Sequence, residues 1–202
     1  MIGTNDSSIV SKRSAERLGY FNQVQHLRHF VSKPRRRAPL INLGYAIRTI
    51  FVDLIIRKFL DTHQRPDASP PDSSIVIVNL GCGYDPGFFK LASSDDNSMR
   101  FHSNLLYVDT DYPALVKKKH AMISQSPELS AVLPGFSKIG PGNFVTASNE
   151  KMSYALLGCD LCDTKSFIDS LTKLLGKSNK PILFISEVST VYMPADKSDQ
   201  LL

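Results

Sequence analysis

Cysteine is scarce in this 202-residue chain: Cys82, Cys159 and Cys162 are the only three. That is too few for a disulfide framework. Met1–Val10 is polar and has no long apolar run, so no secretory leader is expected. An uninterrupted apolar stretch of membrane length is also missing. The best candidate, Leu40–Leu60, is broken by Arg48, Asp53, Arg57 and Lys58, whereas a spanning helix needs about 20 mostly apolar residues. Hydrophobic residues at 42% and charged residues at 21% exclude collagen-like and disordered classes. The expectation is a soluble, cytoplasmic protein built on one large domain. Its net charge of +5 is uneven. Residues 1–70 hold twelve basic and five acidic side chains, and the remainder twelve and fourteen. The basic first third suits an anionic partner or a solvated Lys and Arg face.

Residues 1–65 read as a helical cap segment and 66–202 as an α/β domain. A helix is predicted over 4–18, with Asn5 or Asp6 as N-cap and Gly19 at its end. Lys33-Pro34-Arg35-Arg36-Arg37-Ala38-Pro39 is a proline-bracketed basic loop, and Ile47, Ile50, Phe51, Leu54, Ile55 and Phe59 predict a second helix over 42–60. Residues 61–74 carry three prolines and read as a linker. Ile75-Val76-Ile77-Val78-Asn79-Leu80 is a β-branched run, the pattern of a strand buried on both faces. Further strands are predicted at 105–108, 154–157 and 182–186, with helices at 113–124 and 164–175. This alternation implies an open, doubly wound sheet. The last residues, 194–202, read as the opening of another helix. With about four strands counted, where such sheets commonly hold more, a C-terminally truncated domain is expected.

Leu80-Gly81-Cys82-Gly83-Tyr84-Asp85-Pro86-Gly87 follows the first buried strand and opens a helix. Nucleotide-type ligands bind at such carboxyl ends, and glycine lets backbone and ligand approach closely. A tight structural turn is the alternative. A dinucleotide fingerprint needs a third glycine where Pro86 stands, and Asp85 puts negative charge where a phosphate would sit. S-adenosylmethionine has no phosphate and carries a sulfonium cation, so acidic surroundings suit it. Asp109 and Asp111, at the end of the second strand, are the candidates for its ribose diol; each also suits a turn before Pro113. Asp160 and Glu187 end later strands, where they would line the same crevice or serve as caps. Cys159-x-x-Cys162 has ligand-like spacing but no second pair and no His cluster, so no metal is expected. Lys117-Lys118-Lys119 reads as a solvated helix face.

Six segments occur together in one order: Asn5–Tyr20 (NDSSIVSKRSAERLGY), Ala38–Arg48 (APLINLGYAIR), Val78–Asp85 (VNLGCGYD), Val108–Pro113 (VDTDYP), Cys159–Leu161 (CDL) and Ser186–Met193 (SEVSTVYM). In these the chain resembles the leucine carboxyl methyltransferase family, class I S-adenosylmethionine-dependent enzymes of Rossmann-like fold that esterify carboxylates. The opening Thr4–Ser8 and Ser11–Ser14 look most like its wybutosine branch, which methylates and methoxycarbonylates a modified guanosine of phenylalanine tRNA. A sister branch methylates the C-terminal leucine of protein phosphatase 2A. The resemblance implies S-adenosylmethionine as cofactor and phenylalanine tRNA as acceptor. The phosphatase C-terminus is the alternative acceptor, and an inactive fragment that only binds cofactor is a further one. It also implies roles. Lys12 and Arg48 would contact the cofactor's methionine end, with Arg48 suited to a bidentate grip on its carboxylate; Gly81 and Gly83 would give backbone access, and Asp111, with Asp109 as the competing assignment, would hold the ribose. Asp160 and Leu161 would flank the adenine, and Glu187 would meet the amino group. On the residues alone, Lys12 reads as an exposed helix position and Arg48 as a partner of Asp53. A carboxylate acceptor is ionised and nucleophilic at neutral pH, so no catalytic acid or base is named.

Overall fold

A computed structural model describes residues 2–21, 25–63, 75–93, 105–134, 136, 144–148, 152–176 and 179–201. The predicted linker beyond residue 63 lies largely outside them. The first helix, α1, runs Ile2–Arg17, so Asn5 and Asp6 fall inside it rather than capping it. Gly19 does end it, at φ 74°. The second helix, α2, spans Pro39–His63, longer than predicted at both ends. Pro39 suits its first turn, where a missing N–H leaves no bond unmade.

The sheet follows as β1 (Ile75–Leu80), α3 (Gly87–Ala92), β2 (Leu105–Asp111), α4 (Pro113–Gln125), α5 (Pro127–Val132), β3 (Phe144–Ser148), β4 (Met152–Gly158), α6 (Thr164–Leu175), β5 (Ile182–Ile185) and α7 (Ala195–Leu201). Among the described residues it has five strands, one more than the four predicted, in the order β3-β4-β2-β1-β5. β4, β2, β1 and β5 are parallel, as the sequence predicts. β3 is the addition and pairs antiparallel with β4. β2 continues past Val108 to Asp111 because its polar end finds backbone partners. Thr110 O accepts from Cys82 N at 2.9 Å, and Asp111 O from Cys159 N at 2.9 Å.

All six residues of β1 are buried. Ile77 and Tyr107 face a core shared with Ile9, Ala15, Leu60, Phe88, Phe89 and Tyr154, so α1 to α4 cover that side. Val76, Val78, Val108 and Leu157 face Phe167 and Leu171 of α6 on the other. Each large apolar side chain buried this way stabilises the fold by roughly 1.5–3 kcal/mol. α2 is long and apolar enough by composition to cross a membrane, contrary to the expectation. One stripe of it, Ala46, Ile56 and Leu60, is buried in the shared core. The opposite stripe, with Leu40, Ile47, Phe51 and Leu54, is exposed.

Candidate functional site

The chain order of the parallel strands reverses at β1: β2 lies on one side of it and β5 on the other. A crevice opens where crossovers diverge, at the carboxyl ends. Gly81 and Gly83 turn there with φ of 67° and 51°, values that glycine adopts freely. Gly81 has a second reason to lack a side chain. A Cβ on it would lie 2.4 Å from Ser189 Cβ. Ser189 is held there by donating to Leu80 O at 2.6 Å.

Asp111 clamps this loop to the end of β2. Its carboxylate accepts from Gly83 N and from Tyr112 N, both at 2.7 Å. Burial pushes its pKa up, with the two backbone N–H groups opposing. Asp85 accepts from Gly87 N at 2.9 Å, at the start of α3. Its other oxygen accepts a hydrogen bond from Lys12 Nζ at 2.6 Å, and Lys12 also donates to Glu187 at 2.7 Å. Lys12 is therefore not an exposed helix position: only 7% of its side chain is accessible. Burial works to lower its pKa, but the two carboxylates overcome that and hold it above the usual lysine range. Burial likewise works to raise Asp85, and the Lys12 ammonium overcomes it and holds the carboxyl well below its usual range.

Arg48 places Nη2 3.0 Å from Glu187 Oε1, at a geometry that makes an ion pair rather than an aligned hydrogen bond. Its guanidinium also lies 4.9 Å from the Tyr45 ring centre. The expected pairing with Asp53 does not form; Asp53 meets Lys90 at 2.9 Å. Arg48 Nε is buried and has no hydrogen-bond partner among the described residues.

Lys12, Arg48, Gly81, Gly83, Asp111, Asp160, Leu161 and Glu187 all line one cavity of about 350 Å³. Asp109 does not. Its carboxylate is buried behind the crevice, accepting from Lys119 Nζ at 2.7 Å, Tyr154 OH at 2.6 Å and Asn79 Nδ2 at 3.1 Å. Of the two candidates for the ribose diol, only Asp111 faces the hollow. Lys119 also corrects the reading of residues 117–119 as a solvated face: Lys117 and Lys118 are exposed, but Lys119 is fully buried.

Asp160 is exposed and turns the chain by accepting from Cys162 N at 2.9 Å. The neighbouring Cys159 thiol is pushed up to about 12, chiefly by burial, so it is not a thiolate nucleophile near neutral pH. Among the described residues no group of three or more His, Cys, Asp or Glu is placed to hold a metal.

Three contributors escaped the sequence reading. Asp85 registered only as a charge hostile to phosphate, Ser189 lies in the Ser186–Met193 segment but was given no role, and Val188 has φ 63°. That left-handed conformation is rare for a β-branched residue and fixes the turn between Glu187 and Ser189.

The donor set suits S-adenosylmethionine. Two cations and two carboxylates match a zwitterionic amino acid, and Asp111 matches a diol. The cavity volume lies near the low end for small-ligand sites.

Comparison with known proteins gives a consistent result. The family model described as leucine carboxyl methyltransferase matches residues 5–202. The tRNA wybutosine-synthesizing protein 4 of Gibberella zeae is 37% identical over 100% of this chain and 19% of its own length. The protein of that name from Eremothecium gossypii is 37% identical over 99% of the chain and 29% of its own length. That from Saccharomyces cerevisiae is 34% identical over 99% and 30%. The chain thus spans less than a third of the length of these curated relatives.

Proposed function

Starting from the chain's membership of the leucine carboxyl methyltransferase family, we propose that it is an S-adenosylmethionine-dependent carboxyl methyltransferase of wybutosine synthesis, acting in the cytoplasm on phenylalanine tRNA. The observation that carries the cofactor part is the convergence of Lys12, Arg48, Asp111 and Glu187 on one cavity beside Gly81 and Gly83. The names of the relatives support the tRNA acceptor.

When bound, S-adenosylmethionine supplies an electrophilic methyl group on a positively charged sulfur. The chain's own residues bind and orient. Arg48 and Lys12 present cations to the methionine carboxylate, and charged hydrogen bonds of this kind contribute about 1.5–3 kcal/mol each. Glu187 receives the amino group. Asp111 accepts from the ribose hydroxyls, and Asp160 and Leu161 border the adenine. A carboxylate acceptor is already ionised at pH 7, so no side chain has to remove a proton. What remains for the protein is alignment of the acceptor oxygen with the methyl carbon, an effect worth up to about 7–11 kcal/mol.

The test is calorimetry with S-adenosylhomocysteine, then transfer of labelled methyl to tRNA carrying the carboxyl precursor. A peptide ending like the phosphatase 2A C-terminus serves as competing acceptor. Label on tRNA alone supports the reading. Label on the peptide alone overturns its acceptor half, and absence of cofactor binding overturns all of it.

A further inference from the structure

A second hollow, of about 700 Å³, lies on the other side of α1 from the cofactor cavity and shares Ser7 and Ile9 with it as a common wall. Its lining differs sharply in charge. The cofactor cavity carries Asp85, Asp111, Asp160 and Glu187. The second hollow is lined by Lys33, Arg35, Arg37 and Lys118, with no carboxylate among the described residues, and is floored by the buried Phe30 and Tyr84. Resting on the tRNA reading above, we propose that this groove is the docking surface for the phosphate backbone of the RNA substrate.

Three observations favour a polyanion. First, Lys33, Arg35 and Lys118 are exposed, and no carboxylate among the described residues pairs with them. Such unpaired cations release counterions when they meet phosphates, which is the main source of nucleic-acid affinity. Second, the loop that carries Lys33 and Arg35 is pinned. Pro34 and Pro39 restrict its backbone. Arg37 donates its backbone N–H to Ser14 Oγ at 3.0 Å and its Nε to Ser11 Oγ at 3.1 Å. Asn42 Nδ2 donates to Arg37 O at 3.1 Å. A pre-ordered cation row loses less entropy on binding than a floppy one. Third, the cations come from two separate elements, the 33–37 loop and α4, which face one groove. That suits successive phosphates along a strand better than one small anion.

The experiment is binding of fluorescently labelled tRNA across a salt series, with the wild-type chain and the triple variant Lys33→Glu/Arg35→Glu/Lys118→Glu. All three positions are exposed, so folding should survive. S-adenosylhomocysteine affinity, unchanged within about twofold, verifies this; the milder Lys118→Gln serves if it is not. Wild type should lose affinity linearly in log–log terms as salt rises. The triple variant should bind tRNA at least tenfold more weakly, and its salt slope should fall by roughly two to three, at about 0.7–0.9 per contact removed. Equal tRNA affinity and slope in the two proteins overturns the groove while leaving the tRNA reading intact. Failure of wild type to bind tRNA, with an acidic peptide bound by the groove instead, overturns both.

Discussion

Asp109 and Asp111 lie two residues apart on β2, yet one ends in a sealed polar knot and the other on the wall of an open cavity. The knot is complete. Asp109 accepts three hydrogen bonds, and Lys119, its counter-ion, also donates to Asp85 O at 2.6 Å. Both side chains are 1% accessible. Burial works to lower the Lys119 pKa, but Asp109 overcomes it and holds Lys119 above its usual range. Through that second bond the knot braces the glycine loop from behind. Asp111 braces the same loop from the front, through Gly83 N, and still faces the hollow. The first carboxylate holds a shape and the second can do so while meeting a ligand. Strand-end position alone does not assign a role.

Breaking the knot should have the largest effect. Lys119→Met leaves Asp109 buried and unpaired and should lower unfolding stability by about 3–5 kcal/mol, read by denaturant titration. The double variant Lys119→Met/Asp109→Asn should regain a large part of that loss. If the single variant is as stable as wild type, the knot does not carry the fold. Next is Asp111→Ala, which should weaken S-adenosylhomocysteine binding by about 1.5–3 kcal/mol, while costing less stability than Lys119→Met. A cofactor affinity more sensitive to Asp109→Asn than to Asp111→Ala, at matched stability, would reverse the assignment.

Arg48→Ala should act more gently, by about 1.5 kcal/mol, because its guanidinium is already paired with Glu187 at 3.0 Å and must change partners. An unchanged dissociation constant in calorimetry would remove it from the site. The smallest effect concerns pH. Burial raises the Asp111 pKa. Binding that needs the ionised carboxylate should therefore weaken as pH falls through that raised value. Folding should respond with the opposite sign. A carboxyl whose folded pKa exceeds its unfolded one binds more protons when folded, so its contribution to stability grows as pH falls. Asp111→Asn should abolish both slopes.

The sequence made the apolar framework readable because its patterns were unmixed. β1 is a β-branched run interrupted only by Asn79, and α4 and α6 begin at Pro113 and just after the Asp163 N-cap. β3 escaped because Phe144–Ser148 is an edge strand whose pairing with β4 is antiparallel, and nothing in FVTAS distinguishes it from loop. Of the eight candidate residues that line the cavity, Gly81, Gly83, Asp111, Asp160 and Glu187 were readable from the glycine loop and the strand ends, whereas Lys12, Arg48 and Leu161 were readable only through family-like segments. Spacing alone would have left Lys12 on a surface and Arg48 with Asp53. Lys119 was misread because three lysines in a row look alike, whereas helix geometry turns the third by about 200° from the first. Only the third meets Asp109.

Val188 carries an implication for engineering. Its left-handed backbone costs on the order of 1–3 kcal/mol, and a glycine there would recover part of it. The relief would also slacken the peptide that aims Glu187 at the cavity and seats Ser189 on the glycine loop. Thermal robustness would rise as ligand grip declined, the exchange by which working sites come to keep their uncomfortable residues.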